Sequence, residues 1–267
     1  MTYETILYEV ADRIATITFN RPQRYNAINE QMAKELNDAY GRAERDDAVW
    51  TLIVTATGKA FCSGADVEKI PEDGKVPHEG RYLSNYHEWE APQEATPPFR
   101  TMAKPIVVAV NGICCGAGMD LVTTGDISIA AEDATFFDPH VSIGLVAGRE
   151  MVRVARTLPI NVAMRMALLG KHERLSAQRA YDLGLITEVV PPDALGKRAR
   201  ELAETVNRNA PLAVRGTRLA IRKGLGLPLY EAELLAESFR ERVLHTEDSQ
   251  EGPRAFLEKR DPKWLCQ

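Results

Sequence analysis

Residues 104–120 read Lys104-Pro105-Ile106-Val107-Val108-Ala109-Val110-Asn111-Gly112-Ile113-Cys114-Cys115-Gly116-Ala117-Gly118-Met119-Asp120, and this stretch decides the fold. The apolar run Ile106–Val110 predicts a buried strand, and the small residues that follow it predict a tight turn. A helix is expected from Met119 onward, with the carboxylate of Asp120 near its start. Unpaired N–H groups at a helix start attract negative charge, and small side chains let a ligand oxygen approach them. A turn packed tightly for structural reasons explains the same residues equally well.

A second unit of the same kind lies earlier in the chain. Residues 50–55 predict a strand, and Ser63-Gly64-Ala65-Asp66 forms a small-residue turn after it. Two such turns that face each other would each donate one N–H to the same oxygen atom, which is the arrangement of an oxyanion hole. The two turns together are therefore more specific than either one alone.

The rest of the chain divides into a mixed region and a helical region, residues 1–192 and 193–267. Strands are predicted at residues 5–9, 14–19, 127–130, 135–137 and 187–190, the first two joined as a hairpin by Asp12-Arg13. Helices are predicted at residues 30–45, 147–157, 162–169 and 177–183, and over most of 193–257. Residues 71–98 show no steady periodicity of apolar residues, and we interpret them as a flap or binding loop.

Composition excludes several classes of function. The 267 residues carry a formal net charge of −5 without a basic stripe, so we expect no nucleic-acid partner. No apolar run approaches the length of a membrane span and the start is not a signal peptide, which predicts a cytoplasmic protein with no membrane partner. The four cysteines include an adjacent pair and no C-x-x-C spacing, so we expect neither disulfides nor a zinc site, and we expect Cys62, Cys114 and Cys115 to be buried.

A series of short motifs runs along nearly the whole chain, from about residue 5 to residue 264. They are Asn20-Arg21-Pro22, Ala60-Phe61-Cys62-Ser63-Gly64-Ala65-Asp66, Asn111-Gly112, Gly116-Ala117-Gly118, Gly125-Asp126-Ile127 and Gly184-Leu185-Ile186. In order and spacing they resemble the enoyl-CoA hydratase/isomerase (crotonase) superfamily. The resemblance implies an α/β fold, a spiral of ββα repeats with a C-terminal helical trimerisation region. It also implies a homotrimer or homohexamer that acts on an acyl-CoA substrate and needs no cofactor besides the coenzyme A of that substrate.

The resemblance also assigns binding residues. The N–H groups of Ala65 and Ala117 would form the oxyanion hole for the thioester oxygen, where pre-aimed dipoles stabilise an enolate-like transition state. The residues expected to contact the substrate or its coenzyme A are Arg24, Ala27, Ser63, Gly64, Asp66 and Gly116.

The acid and base positions depart from the family pattern. Hydratases of this family carry two glutamates, and their positions here hold Asp120 and His140. Aspartate is one methylene shorter, and histidine titrates near neutral pH. We interpret the two as a pair in which the carboxylate orients the imidazole, the alternative being a purely structural pair. Glu150 is a third catalytic candidate, although it would equally cap a helix or pair with Arg153.

These assignments leave three hypotheses. The leading one is hydration, dehydration or double-bond isomerisation of an enoyl-CoA, with Asp120, His140 and Glu150 moving protons. The second is a carbon–carbon hydrolase of a β-dicarbonyl substrate, since that branch also shows Pro-His followed by a glycine-rich turn and an acid. The third is an acyl-CoA-binding protein without catalysis.

Overall fold

Two β-sheets form the framework of the chain, for which a computed structural model describes residues 2–66 and 98–267. The strands are β1 (Ile6–Ala11), β2 (Ile14–Phe19), β3 (Thr51–Ala56), β4 (Ala60–Cys62), β5 (Ile106–Val110), β6 (Ile113–Cys115), β7 (Ile127–Ala131), β8 (Thr135–Phe137), β9 (Leu175–Ser176) and β10 (Glu188–Val190). The larger sheet has the order β1-β2-β3-β5-β7-β10 and the smaller one β4-β6-β8-β9.

The helices lie between and after these strands. They are α1 (Glu30–Arg45), α2 (Ala117–Thr124), α3 (Arg149–Thr157), α4 (Ile160–Leu169), α5 (Ala177–Asp182), α6 (Leu195–Asn207), α7 (Pro211–Gly224), α8 (Leu229–Leu244) and α9 (Glu247–Glu258). Short 3-10 helices include Pro98–Arg100 and His140–Ile143. In the part of the chain that the structure describes, no helix is both long and apolar enough to cross a bilayer.

The chain winds as a spiral because consecutive strands alternate between the sheets. β3 joins the larger sheet and β4 the smaller one, and the pairs β5–β6 and β7–β8 repeat this step beside them. Each new strand pairs in parallel with its counterpart from the previous turn. The predicted hairpin is confirmed, since β1 and β2 are antiparallel and Asp12 and Arg13 both have positive φ. The predicted spiral of ββα repeats therefore has its physical basis in this alternation.

Apolar packing on both faces of the larger sheet holds the spiral together. On one face, Ile53, Val107 and Ile129 pack with Leu195 and Ala199 of α6. The other face and the smaller sheet enclose the main core, in which Phe19 and Phe61 are fully buried and stack at 5.5 Å. Continuous apolar strands such as β5 are expected when both faces of a parallel sheet are covered.

Some boundaries differ from the prediction. The structure adds strands β4 and β6, which the sequence patterns left as turns. Their three residues are all buried or nearly buried, so they show no alternation of apolar and polar residues that would have predicted a strand. The helix expected from Met119 begins two residues earlier, at Ala117. Helix α1 and strand β5 have the predicted bounds. Residues 71–97 of the predicted flap lie outside the described residues.

Candidate active site

The two small-residue turns face each other at the ends of β4 and β6. A Cβ placed on Gly116 would lie 3.2 Å from the Cα of Gly64, and one placed on Gly64 would lie 4.0 Å from the amide nitrogen of Ala117. Gly116 has φ +52°, a conformation that side chains disfavour. A side chain on Gly116 would press against the Gly64 turn, whereas Gly64 has the space for a Cβ but a φ of +98° that side chains disfavour.

The amides of Ala65 and Ala117 are the groups that the turns leave available. Gly64 and Asp66 make the hydrogen bonds of a parallel bridge with Ile28, at 2.8 and 3.0 Å, so the N–H of Ala65 points to the opposite side. Ala117 is the first residue of α2, where N–H groups lack an intrahelical partner. Ala65 is exposed and Ala117 half-buried. This geometry supports the predicted pair of donors for one ligand oxygen.

The buried thiol of Cys62 contacts both turns. The Cys62 sulfur accepts hydrogen bonds from the N–H of Gly64, at 3.5 Å, and from the N–H of Gly118. Burial raises the pKa of this thiol to about 11, so it remains neutral. A side chain on Gly118 would crowd its neighbours, because a Cβ there would lie 3.0 Å from both the Cys114 sulfur and the Cys62 carbonyl oxygen. All four cysteines are free, and the predicted burial is confirmed for Cys62, Cys114 and Cys115, while Cys266 is half-buried.

His140 lies beside the Gly116 turn and is held by Asp138. Its Cε1 is 3.8 Å from the Cβ position of Gly116, and its Nδ1 lies 2.8 and 3.0 Å from the two carboxylate oxygens of Asp138. Asp138 is fully buried and also accepts the backbone N–H of His140. The hydrogen bond between Nδ1 and the Asp138 carboxylate raises the pKa of His140, against the opposing effect of burial. In the neutral ring Nδ1 is then the donor, and Nε2 is left with a free lone pair.

Asp120 has different partners from those predicted. One of its carboxylate oxygens accepts from Nη2 of Arg100, and the other lies 3.1 Å from Nε of Arg153. The interpretation that Asp120 orients His140 is therefore wrong, because Asp138 makes that contact. The role of Asp120 in proton transfer stays a prediction, now with a guanidinium group against each of its oxygens.

Glu150 lies in the first turn of α3 and acts on His140 through its charge. Its negative field contributes to the raised pKa of His140. Arg153, the pairing partner considered for Glu150, forms its ion pair with Asp120 instead. Glu150 is half-buried, so a position facing the site is consistent with its exposure.

The predicted coenzyme A residues are brought together around the Ala65 turn. The N–H of Ser63 donates to the carbonyl of Tyr25 at 3.1 Å, which places the loop that contains Arg24 and Ala27 against this turn. Arg21 pairs with Asp66 at 2.8 Å and also donates to the carbonyl of Ala27. The fully buried Asn26 donates to the carbonyls of Thr57 and Ala60 and fixes the loop from the other side.

Other features of the described chain do not compete with this site. A cleft of about 470 Å³ between α7 and α8 contains none of the candidate residues. Within residues 2–66 and 98–267, no group of three His, Cys, Asp or Glu side chains could hold a metal ion.

Sequence reasoning missed Asp138, Arg100 and Cys62 as parts of the site. The Asp-Pro-His order was a usable signal for Asp138, since aspartate commonly bonds the backbone two residues on. Arg100 lies 20 residues from Asp120, and no local pattern predicts that contact.

Comparison with known proteins matches this architecture. The enoyl-CoA hydratase/isomerase family profile matches residues 9–267. A crystal structure of an enoyl-CoA hydratase/isomerase from Mycobacterium paratuberculosis is 69% identical, covers 100% of both chains and superposes with a TM-score of 0.91. The chain is also 32% identical over 259 residues to (E)-benzylidenesuccinyl-CoA hydratase of Thauera aromatica, covering 96% of this chain and 97% of that one. It is 30% identical over 269 residues to the short-chain-enoyl-CoA hydratase of Clostridium acetobutylicum, with 97% of each covered.

The spiral sheets and the paired turns define a crotonase fold, and the chain belongs to the enoyl-CoA hydratase/isomerase family. The predicted family and fold class are thereby confirmed.

Proposed function

We propose that this protein hydrates or isomerises the double bond of an enoyl-CoA, with His140 as the proton-transfer group. The observation that carries the proposal is the position of the Asp138–His140 pair beside the Gly116 turn, next to the amide of Ala117. Relatives named as hydratases of CoA esters support the substrate class.

In the hydration reaction, the thioester oxygen would accept hydrogen bonds from the N–H groups of Ala65 and Ala117. Water adds to the β-carbon and gives its proton to Nε2 of His140, while electron density moves to the thioester oxygen as an enolate. The imidazolium then returns a proton to the α-carbon, so that the elements of water are added overall. Each amide donor of such a hole typically contributes about 10²–10³ in rate.

The carboxylates around His140 favour this cycle. Asp138 fixes the ring orientation and stabilises the imidazolium that forms, as a carboxylate does for a general base. Glu150 adds negative charge nearby, and we assign it to the same electrostatic role. Asp120 is paired with two arginines, so we assign it to substrate binding rather than to proton transfer.

Carbon–carbon hydrolysis of a β-dicarbonyl CoA ester is the second candidate. A single histidine–carboxylate pair, in place of two glutamates, suits a reaction in which one base activates water for attack on a ketone. The carbon–carbon bond would then break, and its electrons would pass to the α-carbon of the thioester to form an enolate. The oxyanion hole would hold this enolate until its α-carbon takes a proton.

A product-mass assay separates these candidates. The protein is incubated with enoyl-, dienoyl- and β-ketoacyl-CoA esters, with His140→Ala and the exposed His172→Ala in parallel. Hydration adds the mass of water, isomerisation keeps the mass and moves the double bond, and hydrolysis yields two fragments. We expect hydration or isomerisation that His140→Ala lowers by about 10²–10⁴. Binding without turnover across the panel would contradict catalysis and favour an acyl-CoA-binding protein.

We also propose that the active form is a homotrimer or homohexamer. The supporting observation is α8, which buries none of its residues in the single chain and exposes Leu229, Tyr230 and Leu234. Apolar surface of this kind is commonly covered by another subunit. Light scattering after gel filtration measures the assembly, and a monomer at micromolar concentration would contradict the proposal.

A further inference from the structure

A surplus of positive charge surrounds Asp120. Arg100 and Arg153 share this one carboxylate, so the group of three carries a net positive charge. The side chains of Arg100 and Asp120 are only 10% and 9% exposed. Nε of Arg100 and Oδ1 of Asp120 are both buried and have no hydrogen-bond partner among the described residues, so Arg153 meets Asp120 at ion-pair distance without a hydrogen bond. A buried charge without full compensation is costly unless an anion completes the group.

Two further arginines extend this charge along α3. Arg149, Arg153 and Arg156 are spaced by four and three residues, which puts them on one face of the helix. With Gly148 and Val152 they line an open cleft of about 570 Å³. Within the described ranges, Arg149 and Arg156 have no carboxylate at ion-pair distance. Burial lowers the pKa of Arg153, and the charges of Arg100, Arg222 and Arg149 lower it further against the attraction of Asp120.

The cleft lies within reach of a thioester bound in the oxyanion hole. Asp120 follows Ala117 by three residues on α2, which separates their positions by roughly 5–6 Å on one helix face. Nε of Arg153 lies 3.1 Å from Oδ1 of Asp120. An acyl chain that starts at the N–H of Ala117 and runs along α2 would therefore meet Arg153 after a few carbon atoms.

We propose that Arg153, assisted by Arg149, binds a carboxylate at the far end of the acyl group. The preferred ligands are then CoA esters of dicarboxylic acids. The inference rests on the proposed function for the placement of the thioester. Guanidinium groups recognise carboxylates through paired, charge-assisted hydrogen bonds. Nε of Arg153 lies 3.1 Å from Asp120, and no second carboxylate of the described residues pairs with this guanidinium group. A bound carboxylate would neutralise the surplus charge.

The phosphates of coenzyme A are the other anions that could meet these arginines. Every CoA ester carries them, whereas only dicarboxylic esters carry the second carboxylate. Pairs of esters that differ only at the far end of the acyl chain therefore distinguish the two sources.

The test is calorimetric binding of saturated esters, which the proposed reactions cannot consume. Succinyl-, glutaryl- and adipoyl-CoA are compared with butyryl-, pentanoyl- and hexanoyl-CoA. We expect at least one dicarboxylic ester to bind about 10- to 100-fold more tightly than its uncharged counterpart. Arg153→Gln should remove most of this preference, Arg149→Gln a smaller part, and Arg153→Lys should restore some of it. Arg165→Gln is the control, since its exposed side chain pairs with Glu173 outside the cleft.

Two results would overturn the inference. One is equal binding of all matched pairs by the unaltered protein. The other is an equal loss for charged and uncharged esters in both Arg153→Gln and Arg149→Gln, which would assign the arginines to the phosphates. Because these esters are unreactive, a carboxylate preference without turnover of any enoyl ester would defeat the proposed reaction and leave this inference standing.

Discussion

Asp138 and Asp120 are two buried carboxylates near the Gly116 turn, and their partners differ in kind. Asp138 holds His140, whose ring can gain and lose a proton and whose pKa this carboxylate raises. Asp120 holds the guanidinium groups of Arg100 and Arg153, which can donate hydrogen bonds but cannot accept them. A carboxylate beside histidine can support proton transfer, whereas one between arginines can position charge. The partner therefore decides what each carboxylate does.

Replacing Asp138 tests the first half of this comparison and should have the largest effect. Asp138→Asn keeps a hydrogen-bond acceptor for His140 but removes the charge that stabilises the imidazolium. We expect kcat to fall by about 10²–10⁴, within the range for loss of general acid–base catalysis. Steady-state kinetics on the best ester of the panel measure it. Asp120→Asn should lower kcat far less, and equal losses in the two variants would contradict the division of roles.

The pH profile sharpens the same comparison. The base must be neutral, so activity falls at pH values below the pKa of His140, which Asp138 raises. Removing the carboxylate lowers that pKa, and the acid limb of the kcat/KM profile should move to lower pH in Asp138→Asn. Glu150→Gln should move it in the same direction by less, because the charge of Glu150 is the weakest of the three influences that raise this pKa. An acid limb that stays in place in both variants would exclude His140 as the base.

Replacing Asp120 tests the second half, this time through stability. Asp120→Asn leaves Arg100 and Arg153 without a counter-charge. We expect the free energy of unfolding to fall by about 2–4 kcal/mol, less than for a fully buried pair because the Arg153 side chain is 37% exposed. Urea denaturation measures it. Asp12→Asn is the matched control, because its ion pair with Arg200 leaves Asp12 78% exposed and should contribute little.

The difference between these carboxylates also shows how far sequence could predict the site. Periodicity and apolar runs predict α1 and β5, because one buried stripe or one buried run defines each of them. The two small-residue turns follow from small residues after strands. The contact between Arg100 and Asp120 could not be predicted, since it depends on how a segment 20 residues away packs on α2. Chemistry at the site is set by such contacts, whereas the fold is set by local patterns.

Gly118 links the fold to the site and carries the next prediction. The Cβ of Gly118→Ala would lie 3.0–3.1 Å from atoms of Cys114 and Cys62, so α2 must shift away from β4. We expect a loss of about 1–2 kcal/mol in the free energy of unfolding, because overpacking exceeds the gain in helix propensity. Gly196→Ala in α6 is the control, where a Cβ meets nothing within 4 Å and alanine should stabilise the helix. Equal stability of the two variants would show that the turns tolerate the shift.

Cys62 carries the smallest expected effect, because sulfur is a weak acceptor. Cys62→Ala leaves the N–H groups of Gly64 and Gly118 without the sulfur that they share. We expect kcat to fall about three- to tenfold, a loss of the order of one weak hydrogen bond, with KM nearly unchanged. Cys114→Ala removes a thiol of the same size that is equally buried. If both alanine variants lower kcat alike, the effect is loss of packing; if only Cys62→Ala does, the thiol aligns the turns that hold the thioester oxygen.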